Sequence, residues 1–155
     1  MLLKFGVGLL VALAAGAAEL SVGEGVVAAG KPADLSVKLA GGTDAPTAIQ
    51  FDVEYDAAQL DIGIEAGPVA REAGKNMRTA KLQAGRQRVL IFGFNRTIIA
   101  DGVLAILHVS YKGQETGKTF PIHLTGAAGT NENAEHVAVS AKDGSVRVEI
   151  GRNGQ

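Results

Sequence analysis

The chain has 155 residues, 46% of them hydrophobic, with a formal net charge of -1 and no cysteine. That length leaves room for one domain with its own core, and the charge balance gives no global pull toward nucleic acid or an anionic membrane. The missing cysteines exclude a disulfide framework, thiol chemistry and a lipid-modified N-terminal cysteine.

The first stretch, MLLKFGVGLLVALAAGAA, has one basic residue (Lys4), an apolar run from Phe5 to Ala15, and small residues leading into Glu19. This is the layout of a secretory signal, and its apolar run is about half of the ~20 residues a membrane span needs. Residues 1–18 are therefore expected to be a signal peptide, 19–151 a single domain and 152–155 a C-terminal tail. No second long apolar segment follows, so no membrane span is expected after signal removal.

Beyond residue 18, short runs rich in Val, Ile, Leu, Phe and Thr alternate with Gly, Asn, Asp and Pro clusters. Strands are predicted at 19–22, 26–28, 34–40, 47–55, 61–65, 78–83, 88–94, 102–111, 119–125, 136–140 and 145–150, with no long helix. Asp143-Gly144 between two alternating runs predicts a tight hairpin. Leu35, Val37 and Leu39 oppose Ser36 and Lys38, and Val146, Val148 and Ile150 oppose Ser145, Arg147 and Glu149, so each run has one face on a core. "RVLIFGF" is apolar on both faces, which means that both are covered or that one row is exposed for a partner. Many short strands at this spacing predict an all-β fold of two packed antiparallel sheets, of Greek-key or jelly-roll type.

Charge is segregated along the chain. Residues 40–70 hold six acids and no Lys or Arg, while residues 71–88 hold six basic residues against Glu72 alone. No aromatic residues interleave with the bases to stack on nucleobases, so cross-strand pairing of acidic with basic strands is favoured over a polyanion site.

Catalytic constellations are missing from the sequence. The glycines sit in turns rather than in a phosphate-cradling loop. His108, His123 and His136 have no local spacing that suits a metal. Ser21, Ser36, Ser110, Ser140 and Ser145 lie in or beside strands, none in a nucleophile elbow. Asn95 fits a glycosylation sequon but reads as a turn. Asp52 and Glu54 share one side of their strand, on a polar face with no apolar pocket to raise either pKa. Turn-located Asp56 and Asp61 offer hard oxygen ligands, but no calcium-loop motif contains them. No enzyme activity and no cofactor are expected.

Three stretches carry a family resemblance. "FDVEYDAAQLDI" resembles the strand and turn of cohesin domains, an alternating strand running into Tyr-Asp, a short turn and a leucine. "VLIFGFNRTIIADGVLAILHVSYKG" is similar to the cohesin segment in which an aromatic strand leads to Asp-Gly and an apolar strand. "GKPADLSVKL" resembles the Gly turn and first core strand. The resemblance implies a nine-stranded jelly-roll β-sandwich without a catalytic site, which binds dockerins, small calcium-loaded helical modules, through one flat sheet face. In the first-described cohesins an Asn and an Asp on that face hydrogen-bond the dockerin. The matching positions here are Ala48 and Gln50, which depart from the pattern, since alanine offers no hydrogen bond and glutamine replaces Asp only in part. With Phe92 and Phe94 taken as core aromatics, Val89, Ile91 and Gly93 form the outward row of the neighbouring strand, with Gly93 smaller than is usual there. The expected partner-binding residues are Ala48, Gln50, Asp52, Val89 and Ile91. The implied function is an exported, non-catalytic module that binds a dockerin-bearing protein in extracellular polysaccharide degradation or surface assembly. The alternative is a carbohydrate-binding module of the same superfamily that holds polysaccharide directly; the lack of Trp and the presence of only two tyrosines count against it.

Overall fold

The computed structural model describes residues 18–150. The expected signal peptide and the C-terminal tail lie outside the described residues, apart from Ala18. In chain order the elements are β1 (Ala18–Val22), β2 (Glu24–Val27), β3 (Ala33–Ala40), β4 (Ala48–Glu54), β5 (Leu60–Ala66), α1 (Pro68–Glu72), β6 (Asn76–Gln83), β7 (Arg86–Phe92), β8 (Gly102–Tyr111), β9 (Thr119–Thr130), β10 (His136–Lys142) and β11 (Gly144–Val148). Among the described residues no helix is long and apolar enough to cross a membrane.

The strands pair in the order β5-β8-β3-β1-β10-β9-β4-β7-β6, with β11 joined to β2 and β9. One layer is built on β5, β8 and β3, the other on β9, β4, β7 and β6. The first two and last two of the described strands link the two layers. β1 runs parallel to β10 and β2 parallel to β11, in one continuous direction. Single residues, Gly23 and Asp143, separate the two halves of each. Counting each bent pair as one strand gives the nine strands of the expected jelly roll.

The Asp143-Gly144 hairpin does not form. β10 pairs with β1 and β9, whereas β11 pairs with β2 and β9, so the dipeptide marks a bend between layers rather than a return. Gly144 is not among the glycines with left-handed backbone; what it supplies is closeness. A Cβ there would collide with the carbonyl oxygen of Gly23 and lie 2.6 Å from that of Val22. Both obstacles are backbone and cannot rotate away. Gly144→Ala is expected to cost about 3 kcal/mol, the upper end of the usual range for overpacking. Urea denaturation should show the midpoint falling at unchanged slope.

A second correction concerns residues 126–130, which read as turn but continue β9. Gln50 lies opposite Ala128 while Asp52 lies opposite Thr125, so Gly126 and Ala127 form a bulge across from Phe51. Gly126 takes φ +58, the left-handed conformation that glycine adopts without steric cost at such a bulge. The short helix α1, opened by Pro68 at its first turn, also has no counterpart among the predicted elements.

The core lies between the layers. Leu35, Val37, Leu39, Phe51, Val53 and Val146 are at most 3% exposed, as the alternation predicts, whereas Ile150 falls beyond β11 and is exposed. Full burial of each such aliphatic or aromatic side chain contributes about 1.5–3 kcal/mol. At the open edge of β5, the buried Gln87 side chain crosses from β7 and donates to the Ile62 carbonyl (2.7 Å) and to the Tyr55 hydroxyl (2.8 Å). The Tyr-Asp motif thus has two structural duties. Tyr55 receives Gln87, while Asp56 closes the following turn by accepting from the Ala58 N–H (3.0 Å).

Candidate partner-binding face

The outer surface of the β10-β9-β4-β7-β6 layer is set by register. Gln50 is opposite Leu90, Asp52 opposite Arg88 and Glu54 opposite Arg86, and β6 continues the rows with Arg78 beside Leu90 and Asn76 beside Phe92. Directly opposed residues in an antiparallel pair share a face. Ala48, Gln50 and Asp52 therefore sit on the outer side of β4, as expected. Val89 and Ile91 do not: they are 0% and 1% exposed and face Phe51 and Ile49 in the core. Leu90 (38% exposed) and Phe92 (36%) form the outward row instead, and Phe94, beyond the strand end, is fully exposed. Aromatic size is a poor guide to phase in a strand that is apolar on both faces. The signal for the correct phase lies two residues upstream, because Arg86 and Arg88 alternate in step with Leu90 and Phe92.

Leu90 and Phe92 help to wall a shallow open groove of about 390 Å³. Its other side is formed by Ala48 and Gln50 of β4, Ala128 and Thr130 of β9, and His136 of β10. The bulge at Gly126 makes this wall low. It shifts the outward row of β9 from Thr125 to Ala128 and Thr130, placing small side chains beside the apolar ones.

Below the groove lies a charge cluster. Asp52 is on the outer face yet 0% exposed, because two arginines close over it. Its Oδ1 accepts from Arg88 Nε (2.8 Å), and its Oδ2 accepts from Arg88 Nη2 (3.0 Å), Arg86 Nη2 (2.7 Å) and Arg86 Nε (3.0 Å). Hydrogen bonding from Arg88, with a further contribution from Arg86, outweighs burial and holds the Asp52 carboxyl below its ordinary value. Glu54 accepts from the Thr125 hydroxyl (2.8 Å). Asp52 is thus a positioning group that fixes the two guanidinium planes, rather than a solvated carboxylate free to meet a partner. Cross-strand pairing of acidic β4 with basic β7 accounts for this part of the charge segregation.

The cohesin-domain family model matches residues 18–148. The chain belongs to the cohesin family. Solved cohesins share the architecture. The sixth cohesin from scaffoldin B of Acetivibrio cellulolyticus, in complex with a mutant Cel5 dockerin, is 24% identical, with a TM-score of 0.76 over 86% of this chain and 99% of that one. The cohesin of a Clostridium thermocellum OlpA cohesin–dockerin complex is 16% identical, with a TM-score of 0.75 over 86% and 99%. A non-cellulosomal cohesin from the archaeon Archaeoglobus fulgidus is 16% identical, with a TM-score of 0.70 over 86% and 91%. At these identities the likeness is one of fold. No curated protein is matched by the sequence. As a family, cohesin domains are interaction modules rather than catalysts.

Several other polar groups of this cohesin serve its scaffold. Among the described residues no group of three or more His, Asp or Glu is placed to hold a metal ion. Asn95 accepts from the buried Lys75 ammonium (2.6 Å) and donates to the Ala73 carbonyl (3.1 Å), tying the loop after β7 to the turn before β6. Burial lowers the Lys75 pKa. His123 lies 2.8 Å from Asp143, whose second oxygen accepts from the Leu124 N–H (2.9 Å), pinning the bend between β10 and β11.

On the opposite layer, His108 of β8 spans three strands, with Nδ1 2.6 Å from Asp34 of β3 and Nε2 2.7 Å from Glu65 of β5. Hydrogen bonds to Glu65 and then Asp34 raise its pKa above the ordinary 6.5. A raised folded-state value means that the stabilisation is complete below the unfolded pKa and is lost as the pH rises through the folded one. The melting-temperature difference between the native chain and His108→Gln should therefore be largest in mild acid and shrink on the alkaline side. A difference independent of pH would assign His108 a packing role only.

Proposed function

We propose that this cohesin domain is an exported, non-catalytic module that captures a dockerin-bearing protein through the outer face of the β10-β9-β4-β7-β6 layer. Its setting is extracellular polysaccharide degradation or surface assembly. The observation that carries the reading is the exposed apolar row of Leu90 and Phe92 beside the low wall of Ala48 and Ala128. A groove of this kind suits the ridge of an amphipathic helix. The signal-like N-terminal stretch supports export. Direct polysaccharide binding is the weaker reading, because Tyr111 is buried and the Tyr55 ring is partly buried against the core, so neither tyrosine presents an open face for stacking.

The test is titration calorimetry of the chain, wild type and Leu90→Asp, against a panel of dockerin modules in calcium. A carboxylate in the centre of the groove should weaken any dockerin that binds by about a hundredfold or more, as expected of an apolar contact at the core of an interface. Equal affinity for both forms would remove this face as the interface.

A further inference from the structure

We propose that the partner of this face carries carboxylates beside its apolar ridge, and that Arg78 is the residue that selects them. The inference rests on the dockerin reading above and specifies its chemistry.

The face is rich in hydrogen-bond donors, and its carboxylates are already engaged. Both oxygens of Asp52 are filled by Arg86 and Arg88, Glu54 accepts from Thr125, and Asp143 at the border is held by His123 and the Leu124 N–H. The two arginines use only their Nε and Nη2 groups toward Asp52, and their side chains remain 34% and 36% exposed, so each keeps an Nη1 group without a hydrogen-bond partner among the described residues. Arg78 is the surplus charge. It stands on β6 directly beside Leu90, is exposed, and makes no ion pair among the described residues. Gln50 and Asn76 carry neutral amides, which favour neither sign.

The acids Asp44, Glu132 and Glu135 lie elsewhere, around the loop beyond Thr130 at the Ala48 end, where Asp44 and Glu135 flank the Asn131 amide. Along β4 the apolar side chains thus lie between this loop region, where Arg96 accompanies the acids, and the guanidinium groups of Arg86 and Arg88 at the other end, with Arg78 beside the apolar row itself. A helix lying along it meets Leu90 and Phe92 with its apolar residues and guanidinium donors with those a turn away. Carboxylates satisfy these donors through short charge-assisted bonds, whereas lysine or arginine at the same place is repelled.

A display library of dockerin modules, randomised at the exposed positions of their helices, would be selected in calcium on the immobilised full chain and in parallel on Arg78→Glu. On the wild-type bait, Asp and Glu should be enriched at positions adjoining a Leu, Ile or Val by about fivefold, the ratio expected of one partly exposed charge pair. On Arg78→Glu that enrichment should pass to Lys and Arg. Binders recovered without acidic enrichment, or with the same enrichment on both baits, would overturn this inference and leave dockerin capture standing. A selection that retains nothing above a bait-free control would overturn both.

Discussion

Ile91→Asp is expected to unfold the domain, while Leu90→Asp, one residue away, leaves it folded. Ile91 is 1% exposed and stands opposite Ile49 in the core. Its loss removes packing that is worth about 2–5 kcal/mol on truncation, and the carboxylate that replaces it is buried opposite Ile49 and Met77, while the buried Lys75 ammonium farther along the sheet is already held by Asn95. Together these approach the whole stability of a typical domain, about 5–15 kcal/mol. Leu90 points out of the sheet and is 38% exposed, so a carboxylate there remains hydrated beside Arg78, and the change in stability should stay within about 1 kcal/mol. Far-ultraviolet circular dichroism with thermal melts separates the two. A folded Ile91→Asp with a native melting temperature would show the strand to be in the opposite phase, and the groove described above would lose its walls.

The second large effect is expected at Asp52. Asp52→Asn keeps the side chain's shape but removes the charge on which two guanidinium groups converge. Breaking a buried pair from one side costs about 3–5 kcal/mol, but these arginines are about one-third exposed and can rehydrate, so about 2–3 kcal/mol is expected at neutral pH. The pH dependence gives the sign. The folded-state pKa of Asp52 is depressed, so its stabilisation is complete above the unfolded value near 3.8 and disappears as the pH falls through the folded value. Denaturation midpoints of Asp52→Asn and the native chain should therefore differ fully at pH 6 and converge in strong acid. A gap that persists unchanged in acid would mean that shape, not charge, makes the site. The same substitution frees Arg86 and Arg88 to swing, so it should also weaken dockerin capture where the guanidinium edges are used.

Much of the architecture was legible because its signals are local. Leu35, Val37 and Leu39 alternate cleanly with polar residues, and nearly every predicted strand exists within a few residues of its expected bounds. The failures lie where local signals conflict or where tertiary placement decides. In "RVLIFGF" both rows are apolar, so the phase had to come from Arg86 and Arg88, outside the most hydrophobic stretch. Gly126 to Thr130 carries turn residues but is held as strand by β4 and β10, through a bulge that no period-2 reading anticipates. Asp143-Gly144 has the composition of a hairpin turn, yet its use is fixed by the contact of Gly144 with Gly23, 121 residues earlier in the chain. Asp52 appears solvated in the sequence because nothing local announces that two residues more than thirty positions away will cover it.

The bends at Gly23 and Asp143 also bear on force. β1 and β10, then β2 and β11, lie side by side and run the same way, so the chain enters the fold at Ala18 and leaves it at Val148 along neighbouring parallel tracks. A load pulling those two points apart acts along the strands, in shear, and strains the whole row of cross-strand hydrogen bonds together instead of peeling them one after another. The β1–β10 and β2–β11 seam that links the two layers therefore also lies directly in the path of tension. A domain so built resists such a load as a unit while its open face stays free to hold a partner.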